Sequence, residues 1–548
     1  MPSPQRPVAY FCMEFGLDEY LPLYAGGLGV LAGDFLRSAY AVKAPVVGIG
    51  LVWQDGYTTQ RLDGEGKVED LPTPLPRYRL QREDVSVEVT IDGQAVELAI
   101  FRVDTLQNAT LYLLEPKDAK HRWITARLYG GGEDDRVAQE IILGVGGVRA
   151  LEALGYQPSF YHFNEGHAAF AGLELIRRRM ALGEDFSTAW AHAKQQIVFT
   201  THTPVPAGNE SHNLARLEKM GATLGFSHDK LKAIGGDPFG MTVAGLRLAV
   251  RSNAVAELHG QTARRMWAHV DGASPILSIT NGVDPRVWQD ARIRESAAWP
   301  TALLAAHQQQ KRELLHEIFN RTGRRLDDKA LLIGFARRAT AYKRALLITH
   351  EKSRFEKLLA SGELHLVYAG KAHPRDMQGR GLVAEMAALA ARYPQSVAFI
   401  PNYDLQLGRL LTRGCDIWLN TPRRPLEACG TSGMKAAMNG VLNLSILDGW
   451  WPEGCDHGKN GWHIGGETTV EEDQTSLKAD AMGEVAALDL RDARALHDLL
   501  DGDVLPAYRN RERWAHMMQS SIAMASERFS SDRMVRDYFE QLYQAPLG

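Results

Sequence analysis

The sequence predicts an α/β protein made of two doubly wound, Rossmann-like domains. Three observations lead there. At 548 residues the chain is longer than one hydrophobic core supports. Apolar runs of strand length alternate with amphipathic stretches, the pattern of buried parallel strands joined by crossover helices. The runs end repeatedly in polar residues beside Gly or Pro, at the strand ends where open α/β sheets bind ligands.

In the first domain, residues 8–13 form the opening strand. The turn Gly26-Gly27-Leu28-Gly29 then precedes an amphipathic stretch over 35–43. A strand, a glycine turn and a helix start present backbone N–H groups to an anion. The glycine spacing is not the dinucleotide fingerprint, and a close-packed turn explains it equally well in isolation. Residues 46–52 form a second buried strand. From 57 to 115 the pattern becomes alternating and turn-rich. Asp92-Gly93 marks a hairpin, so an antiparallel β insertion is expected there. Trp53, Tyr57 and Trp123 are candidates for stacking on sugar rings, with core packing as the commoner use of such residues. A helix is expected over 135–154. Three later strands end in Asn164-Glu165-Gly166-His167, in His202 to Gly208, and in Asn281-Gly282. A lone histidine at such a place is usually structural, but the repetition favours a site. No His or Cys spacing fits a metal.

The second domain starts with a strand over 330–336. Arg337, Arg338, Lys343 and Arg344 follow, with a helix expected from about Ala345. Cations at a helix N-terminus are unfavourable unless an anion sits among them. Arginine offers phosphate a bidentate fork and lysine a point charge. Strands over 364–369, 397–401 (followed by Asn402-Tyr403-Asp404) and 415–420 lead to the densest motif, residues 425–440. There Glu427, the turn Gly430-Thr431-Ser432-Gly433 and Lys435 open a short helix, and an apolar strand follows over 441–447. Amides free to bind phosphate thus stand beside an amine whose burial would lower its pKa and favour an imine. A tight turn with a solvated lysine is the plain alternative. Trp450 and Trp451 either wall this site or pack in the core. Residues 526–543 have an apolar helical period.

A net charge of −4 gives no reason for a nucleic-acid or membrane partner. No apolar run is long enough for a bilayer. Four cysteines without paired spacing suit a reducing cytoplasm. The start of the chain has no signal-peptide pattern.

The stretch E-A-C-G-T-S-G-M-K, residues 427–435, resembles the pyridoxal-phosphate segment of the α-glucan (glycogen, maltodextrin) phosphorylases, E-A-S-G-T-x-x-M-K. The other blocks match in the same order over most of the chain, closest to the short bacterial and archaeal type. The resemblance implies two facing domains in the glycosyltransferase-B arrangement with the site in the cleft. An N-terminal domain would span 1–284 with its β insertion over 57–115. A C-terminal domain would span 285–525, and a helix over 526–548 would return to the first domain.

The implied reaction is reversible phosphorolysis of α-1,4-glucan to α-glucose 1-phosphate with retention, the 5′-phosphate of pyridoxal phosphate acting as proton relay. Lys435 would carry the cofactor as a Schiff base, with Gly430, Thr431, Ser432, Gly433, Tyr403 and Lys343 around it. Arg338 and Lys343, with the Gly26-Gly27-Leu28 turn, would take the substrate phosphate. Glu427, Ala428, Cys429, Gly430, Tyr342, Asn281 and His167, the last through its backbone, would hold the glucosyl unit. Lys435, Arg338, Lys343, Glu427 and His167 would form the catalytic set, with no metal.

Two positions depart from the family pattern: Thr340, where many members have His, and Asp404, where N-Y-R is usual. Family members are commonly dimeric, so a homodimer is one assembly the resemblance allows. The long regulatory region and the extra leader domain of some relatives are expected to be absent. The alternatives are a nucleotide-sugar α-glucosyltransferase of the same fold without pyridoxal phosphate, or a glucan-binding protein without turnover.

Overall fold

The computed structural model describes residues 1–204, 208–466, 468 and 485–545. Residues 205–207, within the turn after His202, lie outside that set. The chain divides into two compact units. The first comprises Met1–Tyr57, Pro72–Thr280 and Ser531–Gly548, the second Thr58–Leu71 and Asn281–Ser530.

The first unit is organised on a nine-stranded sheet. Its strands in chain order are β1 (Val8–Phe11), β2 (Val46–Leu51), β3 (Gln81–Ile91), β4 (Gln94–Val103), β5 (Leu111–Pro116), β6 (Phe160–Asn164), β7 (Ile197–Thr200), β8 (Arg251–Ala254) and β9 (Ile276–Ser278). The spatial order is β9-β8-β7-β6-β1-β2-β5-β4-β3. From β9 to β5 every pairing is parallel. β3 and β4 extend one edge as an antiparallel hairpin. Its two-residue turn, Asp92 and Gly93, has positive φ at both positions (48° and 71°), the twist that matches a right-handed hairpin. β1, β2, β5 and β7 are buried along their whole length, as parallel strands covered on both faces must be.

The second unit carries β10 (Leu331–Ala336), β11 (Leu364–Ala369), β12 (Val397–Ile400), β13 (Ile417–Asn420), β14 (Leu442–Ile446) and β15 (Gly461–Ile464). They are ordered β12-β11-β10-β13-β14-β15, all parallel. The connection reverses between β10 and β13, and ligands in open sheets of this order bind at that reversal, beyond the strands' C-terminal ends. β1 and β6 are the equivalent reversal in the first unit.

Three local findings differ from the sequence reading, and a fourth decides between two alternatives it left open. Thr58–Leu71, expected inside the first domain's insertion, belongs to the second unit. It forms the pair Thr59–Leu62 and Val68–Leu71, and Gln60 Nε2 donates to the Ala372 carbonyl (2.7 Å). The helix expected over 135–154 is Glu133–Ile141 and Gly147–Ala153, joined by a wider π-helical turn, Ile142–Gly146. Glycines crowd that turn because neighbours press on it: a Cβ on Gly146 would lie 2.7 Å from the Leu98 side chain. No helix starts at Ala345: Arg344 takes a left-handed conformation, and the next α-helix is Lys352–Ala360. Trp450 and Trp451 are core residues. Trp450 packs against Phe529 (ring centroids 4.7 Å apart) and Trp451 Nε1 donates to the Trp462 carbonyl (3.2 Å). Trp53 likewise packs inside, donating to the Met13 carbonyl (3.1 Å), whereas Trp123 is exposed.

Among the described residues no helix is long and apolar enough to cross a membrane. Nor does any group of three or more His, Cys, Asp or Glu there suit a metal ion.

Candidate active site

In the second unit the reversal point collects charge. β10 ends at Ala336, and Arg337 turns inward. Its Nη2 lies 2.9 Å from Glu427 Oε2 and its Nη1 donates to Asn420 at the end of β13. Lys343 Nζ donates to both Glu427 oxygens (3.1 and 2.8 Å) and stands 4.7 Å from the Tyr342 ring centroid. Two buried cations therefore share one buried carboxylate. Burial, then the Arg337 charge, pushes Lys343 down to about 7, with Glu427 opposing. Burial alone would raise Glu427, but Arg337 and Lys343 outweigh it and hold the carboxyl below its usual range.

Below this cluster, Asp448 Oδ2 accepts the Glu427 amide (2.9 Å) and Oδ1 the Gly449 amide (2.8 Å). Asp448 is buried beside the Glu427 charge and is pushed up to about 8. Gly430 has φ +82°, and a Cβ there would come within 3.3 Å of Glu427 and 3.5 Å of Arg337. Glycine thus keeps open the space above the cations.

Lys435 sits in the helix Ser432–Ala437 with its side chain buried. Its Nζ lies 3.6 Å from the Trp288 ring centroid, close enough for a strong cation–π contact. Asn439, one helical turn on, ties the two together: its Nδ2 donates to the carbonyls of Lys435 (2.8 Å) and Trp288 (2.9 Å). Ser432 Oγ accepts from Trp418 Nε1 (3.2 Å), and a Cβ on Gly433 would clash with Asn443 and Trp450. Ala428 and Cys429 complete the turn, and the Cys429 carbonyl accepts the Trp450 amide (2.9 Å). A buried amine, a glycine-cleared space and two cations make a donor set that fits an aldehyde bearing a phosphate.

Of the other residues singled out in this unit, Arg338 is exposed and makes no hydrogen bond or ion pair among the described residues. Tyr403 is half-buried, its hydroxyl pushed up to about 12 by burial and by Asp404. Asp404 caps the helix Leu405–Gly414, its Oδ1 accepting the Leu407 amide (2.7 Å). Thr340 Oγ1 is buried with no hydrogen-bond partner among the described residues. Asn281 is buried at the start of the unit's main segment.

In the first unit the glycine turn opens the helix Gly27–Ala41. Glu14 Oε2 accepts the amides of Ala25 (2.6 Å) and Gly26 (3.1 Å), and Tyr129 donates its hydroxyl to Oε1 (2.7 Å). A Cβ on Gly26 or Gly27 would meet nothing within 4 Å, so this backbone faces open space, and Leu28 is half-buried behind it. The strand-end turns of β6 and β7 converge. Glu165 accepts from the His202 amide (2.8 Å) and Thr203 Oγ1 (3.1 Å), and His202 Nε2 lies 2.7 Å from Asn164 Oδ1.

His167 follows on the short turn Gly166–Ala168. Burial pushes it down to about 4, although Glu210, 3.6 Å from its Nε2, opposes. Glu210 also holds Arg136 (2.9 Å), and Arg136 lies over the Tyr129 ring (5.0 Å). Nearby, His212 bonds Glu140 (2.8 Å), which burial and the Glu210 charge push up to about 8.

Arg337, Trp288, Glu14, Glu140 and Glu210 had no motif to announce them. Only Arg337, inside the basic cluster, carried a signal, and its neighbour Arg338 attracted the assignment instead.

Residues 288–480 match the family model described as Carbohydrate phosphorylase. The chain is 37% identical over 608 residues to the maltodextrin phosphorylase of Thermococcus litoralis, covering 100% of this chain and 72% of that protein. It is 37% identical over 620 residues to the glycogen phosphorylase of Mycobacterium bovis (98% and 70% covered). It is 32% identical over 617 residues to that of Aquifex aeolicus (99% and 87% covered).

Proposed function

The chain belongs to the carbohydrate phosphorylase family, and from that premise we propose that it catalyses reversible phosphorolysis of α-1,4-glucan. Inorganic phosphate takes the terminal glucosyl unit as α-glucose 1-phosphate, with retention, and the released glucan oxygen gains the proton that the phosphate gives up. The observation that carries this reading is the buried Lys435, eight residues after the buried Glu427 that pairs with Arg337 and Lys343. The nucleotide-sugar alternative is not favoured, since the relatives named above by activity are phosphorylases.

Breaking a glycosidic bond needs stabilisation of positive charge on the sugar and a proton for the leaving oxygen. Pyridoxal phosphate, when bound, supplies a phosphate group for that proton transfer. Lys435 would hold it, with Gly430, Thr431, Ser432, Gly433 and Tyr403 lining its seat. Arg338 and Lys343 bind the substrate phosphate. Burial holds Lys343 below the usual lysine range, and an arriving anion favours its charged form. Glu427 orients Lys343 and accepts a glucosyl hydroxyl. Tyr342, Ala428, Cys429, Asn281 and His167 orient the same sugar, and Gly26, Gly27 and Leu28 face the phosphate with backbone amides.

The same reading assigns the fold to the glycosyltransferase-B class with two doubly wound domains, puts the protein in the cytoplasm and allows a homodimer. Incubating the protein with maltodextrin and phosphate tests it: glucose 1-phosphate is the expected product. Borohydride reduction should fix a near-ultraviolet-absorbing adduct on the peptide containing Lys435. No product and no adduct after reconstitution would overturn the proposal.

A further inference from the structure

Lys343 is followed by Arg344, whose backbone lies in the left-handed region (φ 48°, ψ 52°) that side chains other than glycine's rarely accept. Something must hold it there. Arg344 Nε and Nη2 donate to the carbonyls of Thr421 (2.9 Å) and Pro422 (2.9 Å). Its Nη1 reaches Asp489 Oδ1 (2.8 Å) and Asp492 Oδ2 (2.8 Å). In return, Thr421 Oγ1 donates to the carbonyls of Lys343 (3.1 Å) and Arg344 (3.0 Å), and the Arg423 amide donates to the Tyr342 carbonyl (2.8 Å). Two turns are thereby stapled together. One carries Tyr342 and Lys343, and the other leads through Arg423 to Glu427.

Asp489 sits at the junction. One of its oxygens takes Arg344 from the first turn, and the other takes Arg423 Nη2 (2.7 Å) from the second. It lies on the helix Val485–Leu499 and touches neither Lys343 nor Glu427. Charge-assisted bonds to buried guanidinium groups are strong and directional.

We propose that Asp489 is a positioning residue for the phosphate site: by holding Arg344 and Arg423 together it sets the distance between Lys343 and Glu427. The proposal rests on the function proposed above. It extends that function to a residue sixty-two positions beyond Glu427.

Asp489→Asn removes the charge at nearly constant size and tests this in the holoenzyme. The KM for phosphate is expected to rise about tenfold while the KM for glucan stays within about twofold. Asp489→Glu, which keeps the charge, should recover part of the loss. Both KM values unchanged, or both raised in parallel with a lower unfolding temperature, would overturn the proposal. Should Asp489→Asn fail to fold, Arg423→Lys, which loosens only one arm, takes the same test.

Calorimetric titration with inorganic phosphate separates the two claims. Weaker phosphate binding by the variant supports the positioning role even if the wild type releases no glucose 1-phosphate. Equal binding overturns it even if the wild type is active.

Discussion

Glu14 and Glu427 are both buried carboxylates beside a glycine turn, one in each unit, and they hold different groups. Glu14 accepts two backbone amides and a tyrosine hydroxyl, all neutral donors. Glu427 accepts an arginine and a lysine. The Glu14 bonds fix the Gly26-Gly27 backbone itself, whose outer side stays open. Two cations on one carboxylate leave a positive excess at Gly430, with Arg338 exposed nearby. The comparison teaches that one carboxylate fixes a backbone turn while the other fixes two cationic side chains.

The severest test removes the amine. Lys435→Ala should lower phosphorolysis by more than about a thousandfold while the protein still folds, checked by product assay and circular dichroism. Near-normal turnover would detach Lys435 from the chemistry.

Next, Glu427→Gln should lower kcat/KM about a hundredfold and move the pH profile. Burial and Arg337 depress Lys343 to about 7 and Glu427 opposes them, so removing that opposition pushes Lys343 lower still. The rise in phosphate KM above neutrality should therefore begin at lower pH in the variant. An unmoved alkaline limb would break the contrast between the two carboxylates.

Glu14→Gln sharpens it from the other side. Its amide nitrogen cannot accept a hydrogen bond, so either the turn amides or Tyr129 lose their partner. Turnover should fall about tenfold with little change in phosphate KM. The smallest effect on activity is expected of Asp404→Ala. It removes a helix cap worth about 1 kcal/mol, seen as a lower unfolding temperature, and leaves kcat/KM as it was.

These pairings also show what could be read in advance. The lysine motif was legible because a buried amine on a glycine-led helix is locally encoded, and the strand-end turns were legible from polar residues closing apolar runs. The orientation of Arg337 was not. Adjacent residues leaving a strand point to opposite sides, and only the position of Glu427, ninety residues on, decides which one is inward. Asp404 stood out as a departure from a family pattern, yet its use is an ordinary cap, visible once Leu405 to Gly414 is known to be helical. The helix expected at Ala345 failed because the left-handed Arg344 is held by Thr421, Pro422, Asp489 and Asp492, all remote in sequence. Thr58–Leu71 was assigned to the wrong unit for the same reason: its alternation was clear, but its hydrogen-bond partners lie three hundred residues away.

The first unit is interrupted by the whole of the second, and this matters during synthesis. Its core includes Tyr538 and Tyr543, and the Tyr543 hydroxyl bonds the fully buried His162 (2.7 Å) while Ser531 meets Ser38 (2.5 Å). A ribosome adding about 5–20 residues per second needs roughly 10–50 s to make the intervening Asn281–Ser530. For that interval the nascent first unit leaves uncovered Phe35 and His162, which Tyr538 and Tyr543 will cover. Residues made after the second unit are thus the ones that close a unit begun before it.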